Sequence, residues 1–329
     1  MEETKKTGWR WGVNRWFILL FMVCSYFAAK AFAPIRPHVQ LPAEPLSHHP
    51  LFTLPVIGEF YLTNTMVALL LADLILILIA FAFKRAAAKG KLVITGVSGV
   101  IEALLEVIYN LTETTAGKRA RQIFPWFATI TLLVLVINWM ELIPGVDSIG
   151  ILEHSDHGYA TQEFLGGKVA TIVGEELEHG GEVLVPFVRV TSTDLNFTVA
   201  LALIAVVGTQ VMGVKALGGH YFSKFWNTKT MFTVPMFGVI DFAVGILEVV
   251  SEISKVLSFS FRLFGNIFAG SVLLFVIGSL VPVFAQSGFL MLEFFVGMIQ
   301  AIVFGLLTMT FMAQATISHG GDDHEGAHA

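Results

Sequence analysis

The chain has 329 residues, 55% of them hydrophobic and 14% charged, with a mean hydropathy of +0.75. A soluble domain of this size needs far more surface charge, and several apolar runs reach the ~20 residues that a helix needs to cross a bilayer. The composition points to an all-α polytopic membrane protein, and the single cysteine, Cys24, excludes an internal disulfide and a multi-cysteine metal site.

Residues 1–33 form an N-terminal hydrophobic segment whose apolar part runs from Trp16 to Ala33, after Lys5, Lys6, Arg10 and Arg15. Those cations favour a cytoplasmic N-terminus. The segment is either an extra spanning helix or a signal-like peptide cut after Ala31-Phe32-Ala33, and both deliver the next residues to the outside. Residues 34–63, rich in Pro and His, read as an external linker. A span from Asn64 to Phe83 ends at Lys84 and Arg85, a cytoplasmic exit. Asp73, near its middle, faces a protein partner, a polar pocket or the inside of the bundle; the sequence leaves these open.

Residues 96–115, GVSGVIEALLEVIYNLTETT, place Glu102 and Glu106 on one helix face and Ile101, Leu105 and Ile108 on another side, which suits a helix at the cytoplasmic interface. A third span covers Ile123 to Leu142. The segment 144–189 then turns acidic and reads as a long, solvated external loop, a better account than a metal cluster at His154, Asp156 and His157. A fourth span starts at Phe197. From Pro235 to Gln286 the chain is too long for one perpendicular crossing, so a tilted or bent helix is expected. The last span, Phe289 to Ala315, returns to the cytoplasm and leaves a polar tail, 317–329. Five or six spanning helices result, according to the fate of the first.

The long penultimate helix carries an unusual stripe. At 100° per residue, Asp241, Glu248, Glu252, Lys255, Arg262 and Asn266 fall within about 80° of one another, so lipid cannot be their neighbour. On the last helix Glu293 and Gln300 lie seven apart and share a face. If the two helices pack together, Glu293, Gln300, Asn266 and Ser271 line a hydrated path. A carboxylate there takes up and releases protons, whereas an arginine stays charged at all accessible pH. Arg262 therefore reads as a fixed counter-charge and a barrier to direct leakage. The plainer reading is an internal salt bridge of Arg262 with Glu248 or Glu252.

LEVVSEISKVLSFSFRLFGNIFAG, MIQAIVFGLLTMTFMAQA, NWMELIPG and TSTDLNFTVALAL together resemble the a subunit of the membrane sector of F-type ATP synthase, bacterial type, over residues 60 to 316. The resemblance implies a membrane domain at 64–316 that acts as a stator with two offset half-channels. Arg262 matches the arginine that faces the carboxylates of a rotating c-ring. Gln300 matches the glutamine that approaches it, and Asn266 the asparagine one turn on. Glu248 and Lys255 match polar positions of the same helix, with Glu252 between them in the stripe. Glu141 matches the acid of the N-x-x-[DE]-L-x-P pattern, and Asp194 and Asn196 match the D-x-N at the fourth span. Some members carry glutamate after FAG and histidine seven before the glutamine; here Ser271 and Glu293 stand there, so the carboxylate has moved to the neighbouring helix.

The implied partners are the c-ring, b or b/b′ peripheral-stalk subunits, the rest of the F1Fo complex and membrane lipid, with no nucleic acid, cofactor or metal. The implied location is the cell membrane, or the inner membrane of a two-membrane cell. The chain has no phosphate loop, so no ATP chemistry is assigned to it. A self-contained ion-coupled secondary transporter is the alternative; it would usually show two related halves, and no repeat is evident.

Overall fold

The computed structural model describes residues 11–31, 43–47, 49–55, 58–88, 96–143, 145–156, 158–164, 169–177, 180–225, 235–281 and 284–317. The N-terminal cations before Arg15, the linker at 34–42, Lys89, Lys91, His157 and the tail from 318 lie outside them, as does the side chain of Asp241.

Seven helices form among the described residues: α1 (Trp11–Ala31), α2 (Asn64–Ala87), α3 (Val97–Ala116), α4 (Ala120–Met140), α5 (Leu195–Leu217), α6 (Pro235–Leu280) and α7 (Phe284–Ala315). Five stretches are long and apolar enough to cross a membrane, and they contain α2, α4, α5, α6 and α7. This is the polytopic helical architecture that the composition implies. Helix α6 has 46 residues, about 69 Å at 1.5 Å per residue, more than twice a hydrocarbon core of about 30 Å.

Helix α3 is amphipathic as expected. Glu102 and Glu106 are exposed, while Ile108 and Thr112 are buried. The Tyr109 and Phe124 rings meet edge to face at 5.3 Å. Fifteen residues of straight helix would separate them by about 22 Å, so the turn at Gly117–Arg119 folds α3 back against α4.

The acidic segment is not a plain solvated loop. It folds into a four-stranded antiparallel sheet of order β3-β6-β4-β5, with β3 (Gly150–Ser155), β4 (Gly158–Phe164), β5 (Val169–Leu177) and β6 (Gly181–Pro186). Its β-branched positions, such as Ile151, Thr161, Ile172 and Val183, suit a pleated surface, and the acids are interleaved with them. Gly158 and Gly181 pass so closely that a Cβ on either would strike the other's backbone. The preceding linker is likewise structured where it is described: β1 (Phe52–Leu54) and β2 (Gly58–Phe60) form a hairpin. Glu44 and Asn64 exchange bonds of 3.1 and 3.3 Å, tying this segment to the start of α2.

The core sits where α4 crosses α7. Gly297, Ala301 and Gly305 present a small-residue seam on α7: an added Cβ at Gly297 would touch Asn138, and one at Gly305 would strike Thr131 and Phe127. Small residues at this spacing let helix backbones approach within a membrane. Around that seam Ile130, Val134, Ile137, Ala202, Ala205, Leu263 and Ile267 are buried together. By contrast, Leu70, Ile77 and Phe81 of α2 and Leu247, Ile253 and Phe261 of α6 are exposed, as a lipid-facing or partner-facing surface would be.

Candidate functional site

Two observations set the register of α6 against α7. A Cβ on Gly270 would strike the Glu293 carboxylate, and the Phe259 and Phe304 rings lie 5.2 Å apart. Both pairs have the same residue sum, as an antiparallel pair requires, so Arg262 and Gln300 lie at the same level of the two helices. Both are half-buried.

The guanidinium of Arg262 donates from Nη2 to Ser258 Oγ at 3.2 Å and forms no ion pair with any described residue. The acids that might have neutralised it are engaged elsewhere. Lys224, in the 3-10 turn Gly218–Lys224, reaches Glu248 at 2.5 Å and Glu252 at 3.2 Å, and Lys255 reaches Glu252 at 2.9 Å. The plain salt-bridge reading of Arg262 therefore has no support from the geometry. Ser251, Ser254, Ser258, Asn266 and Ala269 are exposed on the same side of α6 as Arg262. Toward the Lys224 end the same side is covered at Glu248 and Glu252, but around Arg262 it stays exposed.

In the sequence Lys224 is only one member of a basic, aromatic stretch, with nothing to mark it as the partner of two acids. Its position is built by close packing: the Tyr221 ring occupies the space where a Cβ of Gly213 would be, and Phe225 O that of Gly245. Tyr221 donates to Gln210 Oε1 at 2.6 Å. The Lys224 ammonium lies over the Phe225 and Tyr221 rings at 5.3 and 5.8 Å. Burial works against its charge, but Glu248 and Glu252 outweigh burial and hold its pKa above the usual lysine value.

A second polar group gathers at the end of the bundle that carries the sheet. Glu141, just beyond α4, shares its surroundings with Ser271 of α6, Glu293 of α7, and Asp147 and Arg189 at the stems of the sheet. Glu293 and Ser271 are buried, and Glu141 Oε2 and Glu293 Oε1 have no hydrogen-bond partner. Burial raises the Glu141 carboxyl to about 8. The Ser271 hydroxyl and Arg189 lower it, while Glu293 and Asp147 push it further up. Burial also lifts Asp147 to about 6 against the pull of Arg189. The group can thus hold protons near neutral pH, which exposed carboxyls cannot. Glu141 and Asp147 also line a narrow cleft with Ala68, Met140, Val146 and Thr191.

Below this group runs a buried chain of hydrogen bonds. Ser192 donates to Asn138 Oδ1 at 2.7 Å, and Asn138 Nδ2 donates to Gly297 O at 3.1 Å. Trp139 Nε1 donates to Phe294 O at 3.2 Å while its ring stacks on Phe294.

The expected residues therefore divide. Glu141, Ser271 and Glu293 come together, and Arg262 is level with Gln300. Asn266 does not join Glu293; it is exposed one turn beyond Arg262. Glu248, Glu252 and Lys255 form the separate network around Lys224. Asp194 caps α5, accepting from Asn196 N at 2.9 Å, and accepts from Thr65 of α2 at 3.1 Å, while the side of Asn196 itself is exposed.

Residues 65–313, more than half of the chain, match the family described as ATP synthase A chain. The chain belongs to that family. Among the relatives of this a-subunit type, it is 28% identical to the ATP synthase subunit a of Mycobacterium tuberculosis (strain CDC 1551 / Oshkosh) over 275 residues, covering 82% of this chain and 91% of that protein. It is 29% identical to the ATP synthase subunit a of Campylobacter jejuni subsp. jejuni serotype O:23/36 over 254 residues, covering 76% and 89%. For the ATP synthase subunit a of Moorella thermoacetica the identity is 25% over 246 residues, covering 75% and 88%. Both α6, with its polar stripe, and the Asn138–Glu141 segment fall within the matched region.

Proposed function

We propose that this a-subunit is the proton-translocating stator of an F-type ATP synthase, with two offset half-channels and Arg262 as the fixed charge between them. The observation that carries the reading is the isolation of Arg262. It is a cation within a span, free of any ion pair among the described residues, on a side of α6 that stays exposed around it among the described residues. Such a group is costly in hydrocarbon. A ring of carboxylates passing that side would compensate it, and so the c-ring is its partner in this reading.

The path then builds on the two polar groups. A proton taken up at the sheet-bearing end reaches Glu141, Ser271 and Glu293 and neutralises a ring carboxylate. The ring turns with that carboxyl in lipid. On arriving at Arg262 the carboxyl is favoured in its charged form and releases the proton toward the Glu248–Lys224–Glu252–Lys255 end. Because arginine keeps its proton, no proton passes Arg262 directly from one half to the other. Gln300, level with Arg262, would hydrogen-bond either the guanidinium or the arriving carboxyl in this reading.

The b or b/b′ peripheral-stalk subunits would hold the chain still against the ring, in the cell membrane or the inner membrane of a two-membrane cell. Helix α3 lies at the cytoplasmic surface in this arrangement.

The test is ATP-driven proton pumping in inverted vesicles carrying Arg262→Ala, with assembly of the complex verified. Loss of pumping in an intact complex is expected. Retained coupled pumping would remove Arg262 from the mechanism.

A further inference from the structure

The ends of three spans are tied together at one level. Thr65, in the first turn of α2, donates to Asp194 at the start of α5 at 3.1 Å, and Thr191 donates to the Thr65 carbonyl at 3.1 Å. Ser192 reaches Asn138, in the last turn of α4, at 2.7 Å. From Asn64 to Lys84, α2 rises about 30 Å at 1.5 Å per residue, the thickness of a hydrocarbon core. With the Lys84 ammonium at one boundary of that core, the tied ends mark the other.

Both segments that leave this level begin with exposed apolar side chains. The β1–β2 ribbon returns to α2 through bonds of 2.8 Å from Leu51 N to Phe60 O and from Leu46 N to Leu62 O. Phe52 and Phe60 pair across the hairpin and stack at 4.5 Å, while Thr53 and Glu59 pair on the opposite face, with Leu51 and Tyr61 next along it. At the sheet, Ile143 lies just past α4, and Phe187, just before Thr191, donates from its backbone to Ile149 O at 3.0 Å. Phe52, Ile143, Ile149 and Phe187 are 49%, 54%, 66% and 41% exposed. Along the β3–β6 ribbon the pairs then pass from Ile151–Val185 and Leu152–Leu184 near this root to His154–Glu182 at the far end, with Asp156 exposed beyond.

Such an apolar set is unfavourable in water but suits the boundary between headgroups and acyl chains, where aromatic side chains anchor membrane proteins. An isolated two-stranded hairpin is also marginal in water, and β1–β2 makes its main contacts within itself. We infer that the two roots lie in the lipid interface of the leaflet at the sheet-bearing end. Phe52, Phe60, Ile149 and Phe187 sit among the glycerol groups and first acyl carbons, while the Thr53–Glu59 face and the Asp156 end of the ribbon stay in water. The occupant is the bilayer itself, because the apolar rim continues directly from the tied ends of the spans. Val146 and Asp147, which line the cleft with Glu141, lie between Ile143 and Ile149 in the chain, so the rim holds the mouth of that cleft at headgroup level. The inference rests on the membrane spans and not on the proton path.

The experiment reconstitutes the unsubstituted complex in phosphatidylethanolamine and phosphatidylglycerol vesicles that carry a lipid with a photo-reactive diazirine next to its glycerol. Mass spectrometry should find adducts on peptides holding Phe52, Ile149 and Phe187, and none at Asp156. Nitroxide labels, placed singly at Phe52→Cys, Thr53→Cys and Ile149→Cys with Cys24→Ser and the other cysteines of the complex replaced, then separate lipid from protein cover. Labels at 52 and 149 should be mobile and collide several-fold more with oxygen than with a water-soluble nickel chelate, and the label at 53 the reverse. Proton pumping in each labelled complex reports separately on the mechanism. Absence of lipid adducts, nickel-accessible labels at 52 and 149, or labels there that are immobile and closed to both reagents, as under a protein partner, would overturn the inference.

Discussion

Gly270 has no Cβ because the Glu293 carboxylate occupies the place where one would be. The contact joins the two long C-terminal helices at the level of Ser271 and brings Glu293 within electrostatic reach of Glu141. Replacement of Gly270 by alanine must push Glu293 aside or part α6 from α7. Gly270→Ala is expected to slow ATP-driven pumping several-fold, whereas Gly288→Ala, with open space around its Cβ, leaves it near wild type. Equal rates for the two variants would show that the placement of Glu293 is not tightly required.

Glu141, with Asp147 beside it, makes stability depend on pH. Its carboxyl is raised from 4.5 to about 8, chiefly by burial. A group raised on folding contributes stability that is fully present below its unfolded value, here about 4.5, and is lost as pH rises through about 8. The thermal dissociation temperature of the purified complex should fall between pH 5 and 9, and Glu141→Gln should flatten that fall. An unchanged slope in Glu141→Gln would show that Glu141 already titrates as an ordinary surface acid.

Asn138 carries both ends of a buried polar chain. Asn138→Ala leaves the Ser192 hydroxyl and the Gly297 carbonyl without their partner, a loss of about 1–3 kcal/mol. A lower yield of assembled complex and faster thermal dissociation are expected, measured by native electrophoresis after a temperature ramp.

Sequence pattern reaches different depths in different parts of the chain. The helices are legible because each is a long apolar run, and the match of α2, α4, α5 and α7 to expectation is within a few residues at most ends. The sheet is not, because Glu153, Glu163 and Glu182 among its β-branched residues look like solvated loop, and strand pairing depends on partners tens of residues apart. That Ser271 and Glu293 approach each other is expected, but the place of Glu141 beside them is hidden: periodicity assigns faces within one helix and says nothing about which further elements meet them. The role of Lys224 is hidden for the same reason. The Gly297–Ala301–Gly305 spacing is the one unused signal that would have indicated the close α4–α7 crossing.

Lys224 links α6 to the turn after α5. Lys224→Met removes the cation shared by Glu248 and Glu252, while Lys224→Arg keeps it. These side chains are partly exposed, so solvent screens the pairs and the loss is about 1–2 kcal/mol. Reduced heat tolerance is expected in Lys224→Met and substantially restored in Lys224→Arg. Equal loss in both would point to packing over Tyr221 and Phe225 instead of charge.

The claim that Arg262 separates the two half-channels is tested most directly by passive proton flux. Vesicles containing the membrane sector, with the ring held still by a cross-link to this chain, would be given an imposed proton gradient, with and without Arg262→Ala. If Arg262 is the barrier, the wild-type vesicles stay tight and the variant leaks through a stationary ring. Equal tightness of the two, in sectors shown to be intact, would contradict the account.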